Sequence, residues 1–319
     1  MLTQAEIEKI KNTLKDLEEE VEIIVVPNEN WKDFEDFAKI LSEANDKISY
    51  KVEDREGLIA KPAMILKKDD QENIIYNAIP LREELEPFLK TIVMLSNGIQ
   101  MNEVEGLEAE IMVFVMPICP HCAKVVETVN SFAVANPKIK SIIIDASRFI
   151  DLMQKFDITS APTTIINGEI KLTGYISKDE LIEWLKRSSG DYKRDYLVTL
   201  LNERRLDDIK SIVAKNPEDI RILAELLAHE EFLVRFGAMV VIEQIAKENP
   251  EVIKLAKDVI RNLLKHDDFR IREDVAMLLG SIGDESDVKF LEELLNEEKE
   301  EVKDSAMEAI EEIRSKQKK

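Results

Sequence analysis

Residues 107–187 limit the fold most, because their elements can be read in order from residue type. "EAEIMVFVM" (108–116) is an apolar run rich in Val and Ile, as expected of a buried strand. "CAKVVETVNSFAVAN" (122–136) carries Val125, Val126, Val129, Phe132 and Ala133 at helical spacing, and "IKSIIIDA" (139–146) is a second buried strand. A short helix follows in "SRFIDLMQKFDI" (147–158). "PTTIINGEIKLTGY" (162–175) reads as two strands joined by Asn167-Gly168, a pair suited to a type I′ turn. "SKDELIEWLKRS" opens with Ser177 and Glu180 at capping-box spacing and forms the last helix. The order β-α-β-α-β-β-α predicts a small sheet with helices on both faces.

The stretch before it repeats this ending. "KPAMILKKDDQENIIYNAIPLREELEPFL" (61–89) lies beside "APTTIINGEIKLTGYISKDELIEWL" (161–185), pairing Pro62 with Pro162, Ala78 with Gly174, Leu85 with Leu181 and Phe88 with Trp184. Upstream, "EIIVVPNENWKDFEDFAKIL" again gives strand, proline and helix, but Asn, Glu, Trp and Asp stand where the second copy has cysteines. Trp31 falls at the corresponding place and reads as packing at a helix start. The pattern predicts a tandem duplication with one chemically silent copy.

From Asp191 onward only amphipathic helical patterns remain. "FLVRFGAMVVIEQIA" (232–246), "FRIREDVAMLLGSIG" (269–283) and "EEVKDSAMEAIEEI" (300–313) resemble one another, with Val234, Ile271 and Val302 equivalent. A period of roughly 30 to 40 residues built of helix pairs signals an α-solenoid.

Composition narrows the function classes. A hydrophobic fraction of 45% with 34% charged residues is that of a globular chain. A formal charge of −21 opposes nucleic-acid and anionic membrane binding, and is read as solubility. No apolar run reaches the roughly 20 residues of a membrane span. The start, "MLTQAEIEKIKNTLKDLEEE", has an amphipathic pattern with Thr3 and Glu6 at capping-box spacing rather than that of a signal peptide, so a cytoplasmic location is expected. None of the nine glycines forms a phosphate-binding loop, so no cofactor is expected.

The two cysteines stand together in "VFVMPICPHCAKVV" (113–126). A structural zinc needs about four Cys or His ligands and a catalytic zinc usually three. Here there are two Cys and three His, with His229 and His266 in the distant helical region, so no metal is expected. Two inert core cysteines are one alternative; dithiol–disulfide exchange is the favoured one. Cys119 falls where a strand gives way to a helix, facing unpaired N–H groups and the positive end of the helix dipole, which favour thiolate over thiol. Pro120 fits the first helical turn without losing a hydrogen bond, a protonated His121 adds positive charge, and Cys122 lies one turn on, within disulfide reach. Cys119 is expected to be the exposed nucleophile and Cys122 the resolving thiol.

Residues 107–187 resemble a thioredoxin-fold domain of the glutaredoxin-like branch, with C-P-H-C as its motif. The resemblance implies that Pro162 is the cis-proline beside the disulfide, that Ala161 offers backbone to a substrate strand, and that Thr163 flanks it. The tandem over about 20–187 is similar to archaeal protein disulfide oxidoreductases and to the N-terminal region of the flavoprotein that reduces alkyl hydroperoxide reductase. Thioredoxins carry an acidic residue six positions before the first Cys and Trp immediately before it; this chain has Val113 and Ile118. The proton acceptor for Cys122 is then unassigned, with a water or Glu127 as candidates. The helical stretch resembles HEAT repeats.

Together these predict a cysteine-free thioredoxin-like domain (1–98), a thioredoxin-like domain with C-P-H-C (99–188) and a HEAT-like domain (189–319). The expected function is a protein thiol–disulfide oxidoreductase with a protein disulfide or dithiol client and a separate electron donor or acceptor protein. The alternative is a scaffold or redox sensor whose units mainly bind partner proteins.

Overall fold

Near-continuous apolar runs, buried on both faces in most strands, build one eight-stranded sheet in the computed structural model, which describes residues 2–316. Its strands are β1 (Val21–Val26), β2 (Ile48–Val52), β3 (Ala63–Lys68), β4 (Gln71–Asn77), β5 (Ala109–Val115), β6 (Ile139–Asp145), β7 (Thr163–Ile166) and β8 (Ile170–Thr173), in spatial order β2-β1-β3-β4-β6-β5-β7-β8. Each copy contributes a parallel pair, an antiparallel neighbour and a hairpin. The copies are equivalent in register, with Val26 opposite Ala63 and Phe114 opposite Thr163. They join through β4 and β6, parallel from Ile74↔Ser141 to Asn77↔Ile144. The turn after β7 has Asn167 at φ 53° and Gly168 at φ 73°, the two left-handed residues that a type I′ hairpin requires.

The helices of this unit are α1 (Gln4–Thr13), α2 (Lys32–Ala44), α3 (Leu85–Asn97), α4 (Pro120–Ala135), α5 (Ile150–Lys155) and α6 (Lys178–Ser188). Thr3 and Glu6 close a reciprocal capping box on α1, whereas Ser177 at α6 only accepts from the Glu180 N–H. One face of the sheet carries a single apolar cluster across both copies, from Ile24 and Val26 through Ile75 to Phe114, Ile144 and Ile165. Phe149, Met153 and Phe156 around α5, with Leu58–Ala60 of the first copy, pack against it. On the other face, Tyr76 of β4 meets Phe88 of α3 edge-on at 4.9 Å. The Asn130 amide of α4 donates to the Tyr76 hydroxyl at 2.6 Å and to Thr91 Oγ1 of α3 at 3.0 Å, while Ser141 of β6 donates to Asn130 Oδ1. This buried network is fully paired and so fixes α3 and α4 against the seam between the copies.

The chain divides into two compact units, one ending at Asp191 and one beginning at Tyr192. The second is helical: α7 (Lys193–Asn202), α8 (Leu206–Lys215), α9 (Ile220–Glu225), α10 (Phe232–Glu248), α11 (Pro250–Ile253), α12 (Lys257–Leu263), α13 (Phe269–Ile282), α14 (Glu285–Leu294) and α15 (Glu300–Lys316). Its repeat is visible in bonding as well as burial. Arg235 donates to the carbonyls of His229 and Glu230, and Arg272 donates to those of His266 and Asp267. Asp287, wholly buried, accepts from Lys257 and Arg261 and thereby joins α12 to α14.

The α13–α15 contact depends on Gly280. A Cβ there would lie 3.0 Å from Ala309 Cα and 3.2 Å from Ala309 Cβ, tighter than packed carbons tolerate. Gly280→Leu is therefore expected to lower stability by about 1–3 kcal/mol, read from denaturant unfolding of the helical signal, with the thiol chemistry of the first unit unchanged. Among the described residues no helix is long and apolar enough to cross a membrane.

Candidate active site

β5 ends at Val115, and after a short loop α4 begins at Pro120 with Cys119 as its N-cap. Cys119 Sγ accepts from the Cys122 N–H at 3.1 Å, so the sulfur itself satisfies one of the helix's unpaired donors. Pro120 occupies the first turn, where its missing N–H costs nothing. Cys119 and Cys122 form a disulfide with Cα atoms 5.2 Å apart. Cys122 is wholly buried, while Cys119 is half-buried with exposed Pro120 and His121 beside it. Only one sulfur of the pair is therefore open to a large reactant.

Across from Cys119 the Ala161–Pro162 peptide is cis. Ala161 O lies 3.9 Å from Cys119 Sγ, and Pro162 O accepts from the Gly174 N–H. Thr163 is buried and opposite Phe114 in the sheet; its hydroxyl donates to Ser160 O at 2.8 Å and so fixes the turn before Pro162. The β5–β7 ladder ends at Thr163, which leaves Ala161 beyond the last paired residue. All seven residues singled out from the sequence thus belong to one locus. Met116, Ile118 and Tyr175 are exposed around it, with Ile118 at 71%. The Tyr175 ring lies 6.3 Å from that of His121 and has Lys124 Nζ above it. Among the described residues no group of three or more His, Cys, Asp or Glu is placed to hold a metal ion.

The first copy keeps the frame and fills the site. Trp31 is the N-cap of α2, as Cys119 is of α4, and Phe34 falls three residues on, as Cys122 does. Lys61–Pro62 is also cis, but Asn28 Nδ2 donates to Lys61 O at 2.7 Å and occupies the carbonyl equivalent to that of Ala161. Arg148, from the loop after β6, forks onto Asp33, donates to Asn30 O and stacks 4.8 Å over Phe34.

One residue near the disulfide escaped the sequence reading. Glu84, in a single 3-10 turn (Arg82–Glu84) before α3, is 4% exposed, and neither carboxylate oxygen has a hydrogen-bond partner. Burial, with help from Glu83 and Asp145, pushes its carboxyl up to about 8. Lys90 meets Glu127, and Thr91 meets Asn130, so α3 and α4 run side by side in the same direction. That register brings Glu84 to the first turn of α4, where Cys122 lies; the Arg82–Glu84 turn packs on α4. Glu127 is half-exposed and paired with Lys90. The available signal was the repeat itself: Glu84 aligns with Glu180, which follows a Ser N-cap, whereas Glu84 follows Leu81, which has no capping side chain.

Comparison with known proteins agrees with this geometry. Residues 109–186 match the thioredoxin domain family. Residues 222–311 match HEAT repeats. The NTD_N/C domain of alkyl hydroperoxide reductase AhpF from Enterococcus faecalis is similar in structure, at 19% identity and TM-score 0.54, covering 58% of this chain and all of that one. A protein disulfide oxidoreductase from Aeropyrum pernix K1 is similar at 21% identity and TM-score 0.52, covering 59% and 94%. Both likenesses are of fold. A curated relative from Ferdinandcohnia aciditolerans, named NADH dehydrogenase, is 24% identical over 195 residues, which is 58% of this chain and 37% of that protein. The chain thus spans little more than a third of that relative's length. The first unit is a thioredoxin-like α/β region, and the second is helical with HEAT-like repeats.

Proposed function

We propose that the chain is a protein thiol–disulfide oxidoreductase working through Cys119 and Cys122. The observation that carries this reading is the asymmetry of the disulfide: an accessible sulfur at a helix N-terminus bonded to a wholly buried one, facing an unpaired strand end at Ala161. The thioredoxin-domain match and the Aeropyrum protein, described as a protein disulfide oxidoreductase, support it.

In the reducing direction a client strand extends the sheet beside Ala161 and Pro162. The Cys119 thiolate, stabilised by the Cys122 N–H and the helix terminus, attacks one client sulfur. A Cys119–client disulfide forms, and the client's other sulfur leaves as thiolate. With the Glu84 carboxyl in its ionised form, Cys122 gives its proton to it and attacks Cys119 Sγ, which releases the first client sulfur. The client disulfide becomes a dithiol and the Cys119–Cys122 dithiol becomes a disulfide. A partner protein's dithiol restores the reduced form by the reverse exchange. His121 and the exposed apolar rim of Met116, Ile118 and Tyr175 face the client rather than the buried sulfur.

The test is the equilibrium of the pair in glutathione buffers from fully reduced to fully oxidised, followed by thiol alkylation and mass. A potential near or below about −230 mV assigns the reducing direction, and one of about −120 to −180 mV assigns oxidation or isomerisation of client disulfides. A pair that remains dithiol in every buffer overturns the reading.

A further inference from the structure

The solvent side of the stacked helices α10, α13 and α15 changes chemistry from one helix to the next. Buried positions set the register: Val234, Ile271 and Val302 are equivalent, as are Ala238, Val275 and Ala306. In that register the outward ridge of α10 is Leu233, Phe236 and Val240. The ridge of α13 is Arg270, Glu273 and Met277, and that of α15 is Glu301, Asp304 and Glu308. Each trio has the i, i+3, i+7 spacing that keeps side chains on one helix face.

The apolar end is open. Leu233 is 64% and Phe236 52% exposed, and Phe232 stacks on Phe236 at 5.9 Å while itself exposed. Three large apolar side chains within little more than one turn form a patch rather than scattered surface hydrophobics. The ridges adjoin, since Arg235 of α10 reaches Asp274 of α13 at 3.5 Å. The packing of Gly280 on Ala309 places the acidic ridge of α15 beside α13, and burial with the nearby charges of Asp274 and Glu301 raises the Glu273 carboxyl. Packed helices lie about 8–10 Å apart, so the apolar and acidic ends are separated by about 16–20 Å.

We propose that this ridge docks a segment of a partner protein with apolar side chains at one end and Lys or Arg at the other. The apolar end seats on Leu233 and Phe236, and the basic end neutralises Glu301, Asp304 and Glu308. The span corresponds to about six residues of extended chain or about twelve of helix. Nucleic acid and anionic membrane are repelled by the acidic end. A second copy of this chain supplies only Arg270 as a cation on its own ridge. The proposal stands apart from the thiol chemistry and is tested separately from it.

The probe is a fluorescein-labelled peptide of about 16 residues, with Leu and Phe in one half and lysines in the other, titrated into the full chain by anisotropy. Its counterpart has Glu in place of Lys. The Lys peptide is expected to bind at least about tenfold more tightly, less so as salt rises. Leu233→Ser with Phe236→Ser should weaken it about tenfold or more. Glu301→Lys with Asp304→Lys should abolish or reverse the preference, and both variants should keep the wild-type circular dichroism and disulfide exchange. Equal affinity for the two peptides, no saturable binding, or indifference to both double substitutions overturns the proposal. So does a concentration-dependent dimer, seen by light scattering, that Leu233→Ser with Phe236→Ser dissolves, because the ridge then belongs to a second copy.

Discussion

Cys119→Ser is expected to reduce catalysed disulfide exchange at least about a thousandfold while leaving the fold intact, because a hydroxyl at this position is not ionised and is a poor nucleophile toward sulfur. The substitution is nearly isosteric at a half-buried N-cap, and a serine hydroxyl accepts from the Cys122 N–H as the sulfur does. Circular dichroism and melting should therefore match those of the reduced protein. Cys122→Ser should behave differently. Cys119 still attacks, but nothing resolves the product, so a client-linked species accumulates and is released by dithiothreitol. Non-reducing electrophoresis with insulin as client separates the two results. Turnover that survives Cys119→Ser, or a mixed disulfide that collects on Cys122 instead, is incompatible with the assigned order of attack.

The strands and helices around this site were legible because each obeys a local rule. Residues 111–116 form a continuous apolar run, Asn167-Gly168 suits one turn type, and within a helix Pro120 fits only the first turn. The repeat was legible because Pro62 and Pro162 sit at equivalent points of equivalent hairpins, and the HEAT-like stretch because Val234, Ile271 and Val302 recur at near-constant spacing. The seam between the copies was not. β4 pairs with β6 in parallel, a contact between segments far apart in sequence, and neither strand has a pattern that names its neighbour. Glu84 was hidden for the same reason. Its missing cap set it apart from Glu180 in the repeat, but only the seam brings α3 beside α4 and closes solvent off from the carboxylate. Comparison of Val113 with thioredoxin's acidic position suggested that an acid was missing; the fold supplies one from the other copy.

Glu84→Gln should slow the resolving step by about a hundredfold above pH 8, where the Glu84 carboxyl is ionised, and by less at neutral pH, where most of it holds its proton, because general-base assistance of a positioned carboxylate contributes about 10² to 10⁴. Attack by Cys119 on a small disulfide should be unchanged, since that sulfur faces solvent and the helix terminus rather than Glu84. The same substitution has a signature in stability that does not depend on catalysis. The folded carboxyl titrates at about 8, above its ordinary value of 4.5, so the folded state holds a proton that the unfolded state gives up. Stability from this group is complete below about pH 4.5 and is lost as pH rises through 8. A neutral glutamine removes that dependence. Wild type and variant should be similarly stable at pH 4, and the variant should lead by up to about 4 kcal/mol at pH 9, at about 1.4 kcal/mol per pH unit. Urea unfolding of the oxidised protein across this range measures the difference without any titrating thiol. Carbon NMR of carboxyl-labelled glutamate should show one resonance titrating near pH 8 that Glu84→Gln removes. Parallel stability curves would place the Glu84 carboxylate in water and leave Cys122 without its proton acceptor.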